Sequence, residues 1–390
     1  YHGYGWYRRT LTVPADWQGK EVCVEFEGAF IQAEVYVNGQ LAGTHTGGYT
    51  GFSFDITKLI HTGENSLAVR VNNIWKANVA PRAGDHQFSG GIYRDVYLTV
   101  TDPLHVDYCG TFIQTPEVSS TAATCKASTA IVNSGSATKA FTLTTNILDP
   151  AGNKVATVST DATAKAGQTV TVDQTLPQIS SPQLWSPSSP NRYTAVTTVV
   201  SDGKTVDTYC TRFGIRSLSW TADQGFFLNG EHLFLLGANV HQDQAGWGDA
   251  VTNGAIVRDV QMIKDAGFNC IRASHYPHDP AFAEACDSLG VLLFMETPFW
   301  GMGGNKDEVV WGEGSPASAY PTNTSDQKAF NQSVLAQLKE MIRIHRNSPS
   351  IAAWSLCNEP FFTASSTETP MKALLDEETD SATRWDPTRQ

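Results

Sequence analysis

Apolar and polar residues alternate with period two through the first hundred positions. Runs at 6–13, 21–26, 33–37 and 66–71 each put their Val, Leu, Phe or Tyr side chains on one face, the pattern of a half-buried strand. Turn signals separate them, among them Gly47-Gly48 and Asn38-Gly39, and Asn-Gly between strands is a strong hairpin signal. Short strands of this kind predict a sandwich or jelly roll over residues 1–102. From 103 to 216 the chain is rich in Thr, Ser, Ala and Val with few aromatics, as at 139–145 and 169–172. Turns at Asp149-Pro-Ala-Gly152 and Ser201-Asp-Gly203 punctuate it, and an immunoglobulin-like β-sandwich is the expected fold. The Pro-rich stretch 180–190 reads as a loop over that sandwich.

Beyond Trp220 the period changes. Apolar runs at 233–237, 269–272, 291–295 and 351–356 predict strands, and helical spacing at 254–266, 281–289, 327–346 and 371–384 predicts helices between and after them. Such alternation means βα units and a parallel sheet. An eight-stranded barrel needs about 200–250 residues or more, whereas 217–390 supplies 390 − 216 = 174. The fold class expected is therefore multidomain β plus α/β, with residues 217–390 forming the first half of a (β/α)8 TIM barrel. A half-barrel leaves unpaired sheet edges, so the chain is expected to be part of a longer polypeptide or to be completed by another one. It opens in what reads as mid-strand, so the true N-terminus is expected upstream.

Charge narrows the partners. With 27 basic and 39 acidic residues the net charge is −12, which disfavours nucleic acid and anionic membrane and suits a neutral substrate. No apolar stretch is long enough to span a bilayer, and residues 1–9 lack the basic-then-apolar pattern of a signal peptide. The seven cysteines are scattered and free of C-x-x-C pairs. That spacing marks neither a disulfide framework nor a zinc site, and a Cys109–Cys210 or Cys125 bridge is left open. The compartment is also open, between cytoplasm and periplasm of a bacterium.

Polar residues just past the C-terminal ends of barrel strands project into the mouth where such barrels do chemistry. Three predicted strand ends are unusually polar: Gly237-Ala-Asn-Val-His-Gln-Asp, Arg272-Ala-Ser-His-Tyr-Pro-His-Asp and Trp354-Ser-Leu-Cys-Asn-Glu-Pro. Glu359 stands where a catalytic acid is expected, with Asn358 beside it to hydrogen-bond a ligand. His278 and Asp279 read as solvated loop residues.

These segments, in this order, resemble glycoside hydrolase family 2, the β-galactosidase, β-glucuronidase and β-mannosidase group. Gly5-Trp-Tyr-Arg-Arg9, Val35-Tyr-Val-Asn-Gly39 and Gly90-Gly-Ile-Tyr-Arg-Asp-Val96 look like that family's jelly-roll sugar-binding domain. The resemblance implies a retaining exo-β-glycosidase acting on terminal β-linked sugars, β-galactosides first. β-Glucuronides, or a non-catalytic carbohydrate-binding module, are the alternatives. It gives Glu359 the acid/base role, Asn358 the sugar 2-hydroxyl, and His241 and His275 the lining of the sugar subsite. Arg272 would support the carboxylates, and Asp85 would reach in from the jelly roll. The nucleophilic Glu is expected beyond Gln390. Such an acid needs a raised pKa, which burial of Glu359 beside Trp354 and Cys357 would provide. The resemblance implies no required cofactor. Glu296 matches a group that can hold a metal, but Thr297-Pro-Phe-Trp300 lacks further ligand types, which disfavours magnesium. The partners implied are a β-linked oligosaccharide or glycoside and either a second copy of the chain or the remaining half of the barrel.

Overall fold

The computed structural model describes residues 1–82, 88, 90–301 and 318–389. In the N-terminal part, the strands Tyr4–Val13, Gly63–Asn72, Gln32–Val37 and Gln40–Thr46 form one antiparallel sheet, and Phe52–Asp55, Glu21–Phe26 and Val96–Thr101 form a second. Alternation sends Val22, Val24, Phe26, Val35 and Val69 into a common core, and the opposite faces mix polar residues with exposed aromatics such as Trp6 and Tyr97. The predicted hairpin turn is present, with Asn38 and Gly39 at φ 50° and 80°, the positive pair that this turn type requires.

Leu104–Val118, Ala122–Asn133 and Gln168–Thr175 then pair as one sheet of a sandwich. The other is Lys154–Ala164, Lys139–Leu148, Tyr193–Ser201 and Lys204–Phe213. Ile131, Leu143, Ile147 and Val199 are fully buried in it. All seven cysteines are free thiols, so the pairing left open above does not form. No described helix is long and apolar enough to cross a membrane.

The last part is a four-stranded parallel sheet in the order Gly237–Val240, Cys270–Ala273, Leu292–Glu296, Ile351–Ser355. Helices α1 (Asn253–Asp265), α2 (Pro280–Leu289), α3 (Thr324–His345) and α4 (Glu368–Trp385) accompany it. Their starts are legible in residue chemistry. Thr252, Asp279 and Asn323 each accept a backbone N–H of the first turn of α1, α2 and α3, satisfying donors that a helix start leaves orphaned. Gly290, at φ 73°, closes α2 in the left-handed conformation.

Two expectations need correction. The first barrel strand is Gly237–Val240, not 233–237. The preceding Leu233 and Leu235 pack into a core but make no ladder. The Asn269 side chain holds that segment instead, donating to Phe234 O and accepting from Leu236 N. The second concerns His278 and Asp279, which are buried, at 0% and 5% exposure. Burial pushes His278 down to about 3 and keeps it neutral, while Asp279 caps α2.

The parts interlock through polar groups. Arg94, from the Gly-Gly-Ile-Tyr-Arg segment, donates to Tyr49 O (2.8 Å), Gln242 Oε1 (2.9 Å) and Pro277 O (2.7 Å). Tyr49 stacks on Tyr276 with ring centroids 4.2 Å apart and planes 8° apart. Trp185, in a two-residue strand paired with Ser189–Pro190 within the stretch expected to be loop, is fully buried and donates from its indole to Asp287 O at 2.9 Å.

Candidate active site

Alternation along each parallel strand sorts side chains between the helices and the barrel interior. Ile271, Ala273, Leu293, Met295, Ile351 and Trp354 face the helices and share one core. The residues between them, Arg272, Glu296 and Ser355, meet on the other face. Register makes this specific, because Glu296 lies directly opposite Ser355 and Arg272 sits across one step away, opposite Phe294.

Glu296 is the hub. It is fully buried, and its Oε2 accepts from Arg272 Nε (2.9 Å), Arg272 Nη2 (2.6 Å) and Ser355 Oγ (2.5 Å). Its Oε1 pairs with His275 Nδ1 at 2.7 Å. A buried carboxylate is tolerated only when so fully paired. Arg272 also donates to Asn358 Oδ1 at 3.0 Å, and Asn358 is fixed by backbone bonds to Phe299 and Gly301. His241 reaches the same group edge-on, its ring 5.3 Å from His275 and its Nδ1 3.3 Å from Tyr276 Oη.

Glu359 differs in every respect. It is exposed, its backbone is left-handed at φ 48°, and among the described residues its carboxylate has no hydrogen bond or ion pair. A Cβ placed on Gly301 would lie 2.4 Å from Glu359 O, so this glycine lets the Glu359 turn seat closely. The expected burial by Trp354 is not found. Trp354 points to the helix side and donates to Asp386 at 3.0 Å, its face set by the register shift that follows Ile351 in this strand. Burial, and then the Glu378 and Glu296 carboxylates, push the Cys357 thiol up to about 12, which removes it as a nucleophile.

The structure thus joins Arg272, His275 and Asn358 through Glu296, sets His241 one ring away and leaves Glu359 at the rim. Asp85 lies outside the described residues, but its flank Phe88 comes within 6.0 Å of the Trp300 ring. Trp300 itself is 1% exposed and is core. The surroundings of Glu296 do not fit a divalent cation, because the Arg272 guanidinium already holds the carboxylate that would bind it.

Three family models match the chain end to end: the sugar binding domain of glycosyl hydrolases family 2 at residues 1–103, the family 2 model at 105–216, and the family 2 TIM barrel domain at 221–389. The chain belongs to glycosyl hydrolase family 2. This family 2 chain is 35% identical over 359 residues to a β-galactosidase of Bacteroides ovatus, matching 92% of this chain and 40% of that protein. It is 34% identical over 365 residues to a β-glucuronidase of Bacteroides fragilis, matching 92% and 50%. A crystal structure of a Bacteroides uniformis β-glucuronidase superposes with a TM-score of 0.90 at 33% identity, covering all of this chain and 46% of that one. The chain thus spans about half the length of these relatives or less.

Sequence reasoning missed three participants in this family 2 site. Ser355 and Tyr276 sat inside the quoted Trp354-Ser and His275-Tyr segments, and strand register is the signal that assigns Ser355. Arg94 sat inside a quoted jelly-roll segment without a role, and only its contacts reveal that it holds the loop carrying His275.

Proposed function

We propose that this chain carries the acid/base half of a retaining β-glycosidase site, with Glu359 as the acid and then the base. The observation that supports this reading is the contrast at the mouth: a rigid cluster of Arg272, His275, Ser355 and Asn358 locked on Glu296, beside an exposed Glu359 free to exchange a proton. Glu359 would protonate the glycosidic oxygen of the leaving group, then deprotonate the water that releases the sugar. Asn358, held through Oδ1, would offer its N–H groups to the sugar 2-hydroxyl, and His241 and His275 would line the subsite. A retaining pair needs its second carboxyl about 5–5.5 Å away. Glu296 is not that nucleophile, since Arg272, His275 and Ser355 already engage both of its oxygens.

β-Galactosides are the first substrate class, since a protein of net charge −12 favours a neutral sugar over an anionic one. The likeness to the B. fragilis and B. uniformis β-glucuronidases supports β-glucuronides as the second reading. The test is hydrolysis of nitrophenyl β-galactoside, glucuronide, mannoside and glucoside. It compares the 390-residue chain with a polypeptide carrying it at the full length of its relatives, and with Glu359→Gln in that longer form. Turnover by the longer form alone, lost in Glu359→Gln, is expected. Turnover by the 390-residue chain unaided would make Glu296 the residue to reconsider.

A further inference from the structure

The faces of the first two β-parts that look away from their cores enclose a cavity of about 870 Å³. Glu21, Glu25, Glu27, Asp55, Asp107 and Asp207 all line it. Arg343, on α3, also lines it but is taken by Asp107 at 2.7 Å. Acidic side chains therefore outnumber basic ones in its lining.

At one end of this cavity the strand pattern brings three donors together. Glu21 and Cys23 are two apart on one strand and share its outward face, and Cys23 is the direct cross-strand partner of Asp55. One carboxylate oxygen from each acid and Cys23 Sγ all lie within 4.8 Å of one another. Glu21 is only 8% exposed, yet its Oε2 is buried with no hydrogen-bond partner. Its Oε1 has weak company: Cys23 Sγ at 3.7 Å and His105 Nε2 at 3.5 Å. Leaving a buried carboxylate oxygen unmatched is costly, and nothing on the protein side resolves it.

We propose that Glu21, Cys23 and Asp55 form a site for a divalent cation of the zinc class. One thiolate with two carboxylates suits a borderline-soft ion, and all-oxygen magnesium or calcium sites are built differently. Zinc takes sulfur at about 2.3 Å and carboxylate oxygen at about 2.0–2.2 Å, which sets ligand atoms roughly 3.3–3.7 Å apart. Side-chain shifts of up to about 1.5 Å from the present separations, all within 4.8 Å, would close the cluster onto an ion. His105 is poised to support it. Its Nδ1 donates to Asp102 O at 2.8 Å, which leaves the Nε2 lone pair, 3.5 Å from Glu21 Oε1, turned toward the cluster as a further nitrogen donor for the ion. His105 belongs to the first strand of the second β-part, so the ion would pin that part to the jelly roll.

The test uses the 390-residue chain stripped with a chelator, then dialysed against zinc or cobalt(II). The expected result is a single equivalent of tightly held zinc and, with cobalt, a near-ultraviolet thiolate-to-metal charge-transfer band. Cys23→Ser should abolish the band. Glu21→Gln, which keeps the thiol and the side-chain size, should weaken binding roughly tenfold or more. Cys210→Ser, which removes an exposed thiol elsewhere, should change neither. Wild-type protein that retains no zinc overturns the proposal, as does undiminished binding in both Cys23→Ser and Glu21→Gln.

Discussion

The floor of the barrel mouth and its rim treat a carboxylate in opposite ways. On the floor, Glu296 ends its strand fully buried with both oxygens engaged by Arg272, His275 and Ser355. On the rim, Glu359 follows the neighbouring strand by four residues, exposed, with a left-handed backbone. The floor residue gains its position from register, since its partners are cross-strand neighbours that cannot move independently. The rim residue gains its position from Asn358 and Pro360 on either side and from the close approach of Gly301. A group saturated with hydrogen bonds orients others, whereas one left unsatisfied is available for proton transfer.

The difference can be broken by substitution, with the largest effect at the floor. Glu296→Ala should cost about 3–5 kcal/mol, because it leaves a guanidinium and an imidazole unpaired beside a core. Urea unfolding followed by tryptophan fluorescence measures this, and a cost below about 1 kcal/mol would show that the cluster is no more than a surface ion pair. Met295→Ala, one residue earlier but facing the helices, should cost about 2–5 kcal/mol through a cavity alone and leave the Arg272 cluster intact by crystallography. Gly301→Ala should cost about 1–3 kcal/mol by overpacking against the Glu359 carbonyl. In the full-length form it should also lower turnover, which Glu296-side packing changes do not predict. Glu359→Gln should sit at the other extreme, within about 0.5 kcal/mol of wild type in stability while removing hydrolysis.

Titration gives a further, smaller effect away from the mouth. Burial, with Asp279 and Asp95 nearby, pushes Glu27 from 4.5 up to about 7. A carboxyl whose folded pKa is raised adds stability below its unfolded pKa and loses it as pH rises through the folded value. Glu27 therefore destabilises progressively between about pH 4.5 and pH 7. His278 and His345, held neutral by burial with values pushed from 6.5 to about 3, act the other way and lose stability as pH falls below 6.5. Glu27→Gln should flatten the upper part of a stability-against-pH curve and leave the acid limb unchanged. Thermal melts across pH 4–8 measure this, and a curve that keeps its upper slope would show that another group causes it.

Most of the architecture was legible because its signals are local. Period two marked the jelly-roll strands, and the helices α1 to α4 fell within a few residues of their apolar spacing. The one misplaced barrel strand shows the limit. Leu233, Phe234, Leu235 and Leu236 look like a strand by composition, but the ladder begins at Gly237, where close approach to Cys270 requires no side chain. The site was legible at its rim and strand ends, where Asn358, Glu359, Arg272 and His275 carry polar chemistry after apolar runs. Burial was not. Glu359 and Trp354 are five apart in sequence, yet Trp354 packs into the core under the helices while Glu359 stays exposed beyond the strand end. His278 looked like a loop residue but is sealed in the core. Which side chains share a space depends on register and on contacts between separate parts of the chain, and no single window contains that information.

Arg94 shows what such contacts mean for engineering. A jelly roll, a sandwich and a barrel look like exchangeable modules, each with its own core. But one guanidinium from the jelly roll ties Gln242 and Pro277, on the loops after the first and second barrel strands, and the second loop presents His275. A chimera that imports the jelly roll of another family member must bring an arginine and a tyrosine in place of Arg94 and Tyr49 that fit the barrel's own Tyr276, or the loop carrying His275 loses its anchor although every domain still folds. The unit that recombination can exchange intact here is larger than a domain.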